Sequence, residues 1–235
     1  MHLRTIVTGA VDLLYPPRCG GCGRFGTFFC GPCRDACTPA MGHGRCKRCS
    51  AEWDGADNCS RCFDVQSFES IAAAFEMTGP ARRAVHRLKY GRVRAAAPEM
   101  AQDLGRVTSG LVFDFAVPVP LHTSRQRERG FNQASELLAP LGRPPLPGRL
   151  RRIRKTGQQV GLTMRERRQN IGDAFAYDGP PLDGASVLLV DDVVTTGATV
   201  DACARVLKDY GARSVYVAAY ARASYKPGSD APIED

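Results

Sequence analysis

The chain has 235 residues, 43% of them hydrophobic, and a formal charge of +8 at pH 7, enough for one α/β domain with a small appendage and short for two full-sized domains. No stretch reaches the roughly 18 uninterrupted apolar residues of a membrane-spanning helix, because Asp, Arg or Pro breaks every candidate, so a soluble chain without membrane insertion is expected. The charge is uneven: residues 125 to 168 hold twelve Lys and Arg against three Glu, a block that suits nucleic acid, a phosphorylated metabolite or plain solvation.

In chain order, MHLRTIVTGAVDLLYPPRC spaces Leu3, Ile6, Val7, Ala10, Leu13 and Leu14 along one face of a helix. Thr8 and Asp12 interrupt it, unlike the apolar centre of a secretory signal. Nine of ten cysteines precede residue 63, and eight form the pairs Cys19 and Cys22, Cys30 and Cys33, Cys46 and Cys49, Cys59 and Cys62. Two cysteines separated by two residues aim both sulfurs at one ion from a tight turn, and two such knuckles complete a tetrahedral thiolate site. Seven residues separate Cys22 from Cys30 and nine separate Cys49 from Cys59, hairpin lengths that predict two zinc ribbons in tandem with two structural zinc ions. Cross-braced pairing and a disulfide framework are the alternatives, the second disfavoured without an export signal. Four thiolates leave no position for substrate, and the first 65 residues are poor in aliphatic side chains, so metal is expected to supply most of their folding energy. Such chemistry belongs in the cytoplasm. Cys37 reads as a spare thiol, His43 as a solvated loop residue and Cys203 as core.

ARRAVHRLKYGRVR places six Lys and Arg and no acid between 82 and 94; Lys89 has two readings, facing a ligand or belonging, with His86, to a solvated helix face. FDFAV reads as a strand that ends at Pro118 and Pro120, which cannot donate to a ladder and turn the chain into a loop, where Arg125, Arg127, Arg129 and Gly130 follow. The prolines and glycines of residues 142 to 168 argue for an irregular excursion.

VLLVDDVVTTGATV, residues 187 to 200, begins with an apolar run fit for a strand covered on both faces. Val200, Cys203, Ala204 and Leu207 lie at helical spacing, Gly211 stops that helix, and SVYVAAYA reads as the next strand. In such sheets ligands gather at the carboxyl ends of strands. Thr195, Thr196, Gly197, Ala198 and Thr199 are small and open a helix, which makes a phosphate cradle; without GKS or GKT it is no nucleoside-triphosphate loop. Asp191 and Asp192 would repel phosphate and must face hydroxyls or a cation such as Mg²⁺. A sugar phosphate with its diol toward the acids meets both demands. The plainer alternative makes Asp191 a strand-end turn residue and Thr199 a helix cap. KPGSDAPIED is polar and expected to be disordered.

An apolar strand, two acids, two further residues and TTGAT resemble the signature of type I phosphoribosyltransferases. LLYPPRCGGC (13 to 22), LKYGR (88 to 92), VPVPLHTSRQRERGFNQA (117 to 134) and TGQQVGLTMRERRQNIGDAF (156 to 175) narrow the resemblance to the ComF family, in which a cysteine-rich N-terminus precedes a phosphoribosyltransferase domain and which is associated with DNA uptake. It implies an α/β fold, a parallel sheet flanked by helices, divided into ribbons at 1–65, a transferase-like domain at 66–225 and a tail at 226–235. It further implies that phosphoribosyl pyrophosphate binds with Mg²⁺, its ribose hydroxyls on Asp191 and Asp192, the catalytic pair, and its 5′-phosphate on Thr195 to Thr199. Pyrophosphate would fall to Arg125, Arg127, Arg129 and Gly130, and Gln158, Arg165 and Arg168 would belong to a flexible lid that excludes water.

Two functional readings follow: a phosphoribosyltransferase, and a non-catalytic adaptor that senses phosphoribosyl pyrophosphate or a nucleotide while binding single-stranded DNA or a DNA-uptake protein. A transcription factor fits worst, since the ribbons show few aromatics and no recognition helix. No residue is marked as a general base.

Overall fold

The computed structural model describes residues 16–53, 55, 59, 67–90, 94–154 and 174–223. Its centre is a parallel sheet of four strands: β1 (Ser70–Glu76), β2 (Phe115–Pro118), β5 (Ser186–Val194) and β6 (Ser214–Arg222), in the order β1-β6-β5-β2. A separate antiparallel pair joins β3 (Arg149–Arg152) to β4 (Phe175–Asp178). The helices are α1 (Gly31–Asp35), α2 (Gly79–Tyr90), α3 (Ala97–Val107), α4 (Thr123–Arg129), α5 (Gln133–Leu138) and α6 (Ala198–Asp209), with short 3-10 turns at Arg94–Ala96 and Ala139–Leu141. None of the described helices is long and apolar enough to cross a membrane.

The continuous apolar runs of β5 and β6 follow from cover on both faces. Val187 and Leu189, with Val215, Val217 and Ala219, face Val200, Cys203, Ala204 and Leu207 of α6. Leu188 and Val190, with Ala218 and Tyr220, face Leu88 of α2, Met100 and Leu104 of α3 and Leu137 of α5. The two cysteine clusters divide the same way. Cys19, Cys30 and Cys33 join the α2 and α3 side, whereas Cys46, Cys49 and Cys59 join the α6 side.

The segment between the clusters must therefore cross the sheet's outer edge, and it pairs there. Ala40 N–H donates to Ala74 O at 3.2 Å and Glu76 N–H to Thr38 O at 2.8 Å, with Pro39 bridged antiparallel to Phe75 of β1. At the opposite edge Ala116 N–H donates to Pro144 O at 2.8 Å and Leu146 N–H to Ala116 O at 3.3 Å. Both outer strands are thus covered by short proline-bearing segments.

LKY forms the C-terminal end of helix α2. Two expectations change. Strand β5 runs through both acids to Val194 instead of stopping at Val190. The excursion from 142 to 168 contains a regular strand, β3, because Arg149, Leu150 and Arg151 alternate outward, inward, outward, the period of a half-buried strand.

Candidate functional site

The first four cysteines form one group. The sulfurs of Cys19, Cys22, Cys30 and Cys33 all lie within 4.8 Å of one another, with Cys19 to Cys30 at 3.5 Å and Cys22 to Cys30 at 3.8 Å. A tetrahedral site with Zn–S of about 2.3 Å has sulfurs about 3.8 Å apart, so the spacing fits zinc. Gly21 is required by close approach: a Cβ there would lie 2.6 Å from the Cys33 sulfur. Burial pushes the Cys19 thiol up, but the amides of Cys30, Cys22 and Gly21 outweigh it and bring it to about 6, while burial and the neighbouring thiols hold Cys33 well above the ordinary value. Cys46, Cys49 and Cys59 form the second group, with Cys49 to Cys59 at 3.8 Å; Cys62 lies outside the described residues. The pairing is tandem, which decides between the two metal arrangements open from sequence. Cys37 is buried and donates to Cys33 O at 3.2 Å, Cys203 is fully buried in α6, and His43 is exposed.

The first ribbon is clamped to the sheet domain. Glu99 of α3 accepts from Thr27 Oγ1 at 2.9 Å and from the N–H groups of Phe28 and Phe29. Arg34 pairs with buried Asp103 at 2.9 Å, and Arg83 and Arg87 of α2 donate to the carbonyls of Gly21 and Cys19. Several basic residues that looked like a solvated strip therefore hold a metal knuckle.

At the carboxyl end of β5 the alternation of the strand sends Asp191 and Asp192 to opposite faces. Asp192, on the α2 side, is buried and lies 3.6 Å from Lys89 Nζ, each side chain about one-tenth exposed. Lys89 thus belongs to the acid pair and not to a solvated face. Asp191 accepts from the Asp192 N–H at 2.8 Å. Gly197, at φ +85°, caps α6 without a side chain, so the first-turn amides can serve an anion. Thr196 Oγ1 accepts from Ala198 N–H at 3.3 Å, and Thr199 sits inside the helix, not at its cap.

Residues 123 to 129 form helix α4 where sequence predicted a loop. His122 Nδ1 caps it on Ser124 N–H at 3.2 Å, and Gly130, at φ +80°, ends it. A helix turns 100° per residue, so Arg125 and Arg129 share a face and Arg127 does not. Arg129 is buried, lies 5.3 Å from the Tyr90 ring and donates to Gln133 Oε1 at 3.3 Å; Arg127 is exposed. Tyr90 adjoins Lys89, so α2 brings Arg129 and Asp192 toward one centre while Arg127 stays outside. Gln158, Arg165 and Arg168 of the lid expectation, and the tail 226–235, lie outside the described residues.

Sequence reasoning missed three supports. Asn132 caps α5 on Ala134 N–H at 3.0 Å and donates to Val119 O at 2.9 Å, closing the turn after β2. Glu99 clamps the first ribbon, as described. Arg222 ends β6, only 4% exposed, and its signal was visible: a lone charge closing an apolar strand.

Two family models match. One, described as a double zinc ribbon domain, covers residues 10–63; the other, a phosphoribosyl transferase domain, covers residues 129–234. Competence protein F of Haemophilus influenzae is 30% identical over 213 residues, 88% of this chain and 85% of that protein. DNA utilization protein YhgH of Salmonella typhi is 34% identical over 171 residues, 68% of this chain and 75% of that protein. Competence protein ComFC of Bacillus subtilis is 36% identical over 98 residues, 40% of this chain and 38% of that protein. Similarity of that depth, over so much of the chain and with both parts in the same order, makes this protein a member of the ComF family, a double zinc ribbon followed by a phosphoribosyl transferase fold.

Proposed function

We propose that the carboxyl end of the sheet binds phosphoribosyl pyrophosphate with Mg²⁺ and that the protein transfers the 5-phosphoribosyl group between pyrophosphate and a nitrogen nucleophile. One observation carries the reading: two carboxylates at the end of β5, one paired with Lys89, stand just ahead of the helix N-terminus at Gly197. A ribose diol needs acceptors and its 5′-phosphate needs amides, in that order. Asp191 and Asp192 take the hydroxyls and stabilise positive charge as the bond from the anomeric carbon to pyrophosphate breaks and a bond to nitrogen forms. Thr195 to Thr199 hold the phosphate. Arg125, Arg129 and Gly130 face the pyrophosphate, with Arg127 contributing charge from the outer face. Mg²⁺ arriving with the diphosphate would supply charge neutralisation for that leaving group, beside Arg125 and Arg129. Gln158, Arg165 and Arg168 form the lid. We assign residues 1–65 to the ribbons, 66–225 to the catalytic unit and 226–235 to a tail, infer a cytoplasmic protein from the cysteine chemistry, and assign it a part in competence or DNA utilization, the words its relatives' names carry.

A second reading has its own support. Arg149, Arg151 and Arg154 are exposed on and just after β3, a surface suited to single-stranded DNA beside a site that only senses ligand. Calorimetry with phosphoribosyl pyrophosphate and Mg²⁺, alongside pyrophosphate release across a panel of nucleobases, separates the two. Release with any base establishes transfer; binding without release establishes the sensor; wild-type protein that does not bind refutes both. Asp191→Asn with Asp192→Asn should weaken binding at least tenfold, each charged hydrogen bond being worth about 1.5 to 3 kcal/mol.

A further inference from the structure

Arg222 is the last residue of β6, in register with Val194 of β5, and its guanidinium reaches three backbone carbonyls. Nε donates to Cys49 O at 2.9 Å; Nη1 donates to Val194 O at 3.0 Å and to Thr195 O. Cys49 is a ligand of the second metal group, and Val194 and Thr195 lead into the phosphate loop. One buried side chain therefore joins the two.

We infer that Arg222 is the positioning residue of the phosphate loop, fixing Val194 and Thr195, where β5 passes into that loop, to the backbone of the second zinc knuckle so that ligand affinity and zinc retention there are linked. This rests on the ligand reading given under Proposed function. In a trans peptide the C=O and the following N–H point opposite ways, so holding the carbonyls of Val194 and Thr195 toward Arg222 turns the amides of Thr195 and Thr196 away from the buried guanidinium. The knuckle is itself a fixed point. Ile71 N–H of β1 donates to Arg48 O at 2.7 Å, and Ser50 Oγ donates to Ile71 O at 2.5 Å. The short stretch before β1 adds a second strut: Phe68, 1% exposed, lies beneath Gly197, and Ser67 N–H donates to Asp201 of α6 at 2.6 Å. A guanidinium suits this place because its planar fork reaches several acceptors at fixed angles, which an ammonium cannot reproduce. Zinc at the second site draws Cys46, Cys49 and Cys59 together; without it the Cys49 carbonyl relies on its neighbours' bonds to Ile71, and its grip on Arg222 loosens.

Coupling between two sites is reciprocal: if zinc tightens ligand binding by some factor, ligand tightens zinc retention by the same factor, typically 5- to 150-fold. The test uses full-length zinc-loaded wild type, Arg222→Lys and Arg222→Met. Affinity for phosphoribosyl pyrophosphate with Mg²⁺ is read by calorimetry, and zinc release to a chromophoric chelator is timed with and without that ligand. In the wild type the ligand should slow the faster half of zinc release. Arg222→Met should bind about tenfold more weakly and release zinc at one rate whether or not ligand is present, with Arg222→Lys between. Unchanged affinity in Arg222→Met, or equal protection of zinc in variant and wild type, overturns the inference and leaves the ligand reading standing. If Arg222→Met fails to fold, Arg222→Lys decides by the same two readouts. Wild type that does not bind the ligand overturns both, and the wild-type titration alone shows it.

Discussion

Lys89 and Asp192 allow a quantitative test of how the acid pair is held. At 3.6 Å, with each side chain about one-tenth exposed, their attraction is about 4.6 kcal/mol at an effective dielectric of about 20, before desolvation. Desolvation consumes much of this, but deleting one partner strands the other charge, which costs about 3 kcal/mol or more. Lys89→Met and Asp192→Asn keep side-chain size, so a double-mutant cycle isolates the pair. In urea unfolding of zinc-saturated protein each single change should lower the midpoint by roughly 1 M, taking a slope near the upper end of the usual 1 to 3 kcal/mol/M. The double variant should recover part of the loss, with a coupling of about 2 kcal/mol. Arg151 and Asp178, 3.4 Å apart but 51% and 71% exposed, supply a control whose coupling should stay under about 0.5 kcal/mol. A Lys89 and Asp192 coupling as small as the control would refute the view that α2 positions the acid pair, and Lys89 would return to the helix surface.

Elemental analysis should find two zinc ions per chain; absence of zinc together with four titrated disulfides would remove the ribbons. Glu99→Gln weakens three hydrogen bonds to the first ribbon and should destabilise the protein by about 2 kcal/mol, read as earlier release of one zinc on heating; unaltered release would show that Glu99 is not the clamp. Replacing Arg149, Arg151 and Arg154 by Ala should flatten the salt dependence of single-stranded DNA binding by roughly 0.7 per lost phosphate contact, whereas Arg152, packed 5.5 Å from the Phe175 ring, should contribute stability and no slope. A wild-type slope in the triple variant would eliminate that surface.

What could be read from sequence was local. The cysteine knuckles carry their chemistry within a few residues, so their geometry follows from spacing, and the acids and the small loop announce themselves within one strand and turn. Phase and distance were less legible. Arg125, Arg127 and Arg129 look like one cluster until the helix rotates the middle one outward. Lys89 looked like one cation among many because its partner is about a hundred residues away. Prolines just ahead of RLRR masked a strand whose only inward residue is Leu150. Arg222 stood out as a lone charge closing an apolar strand, but its role did not, because the groups it holds at Cys49, Val194 and Thr195 are carbonyls, which every residue has.

The crossing segment between the ribbons bears on solubility. Thr38 to Ala40 covers the outer edge of β1, and it is stretched between a zinc knuckle on each face of the sheet. When both metals are present that edge is closed to other chains. Chelating both metals should therefore loosen the strap at its two ends and expose β1 as a bare edge, an outcome that light scattering of the chelated protein would read as association and that unchanged scattering would refute.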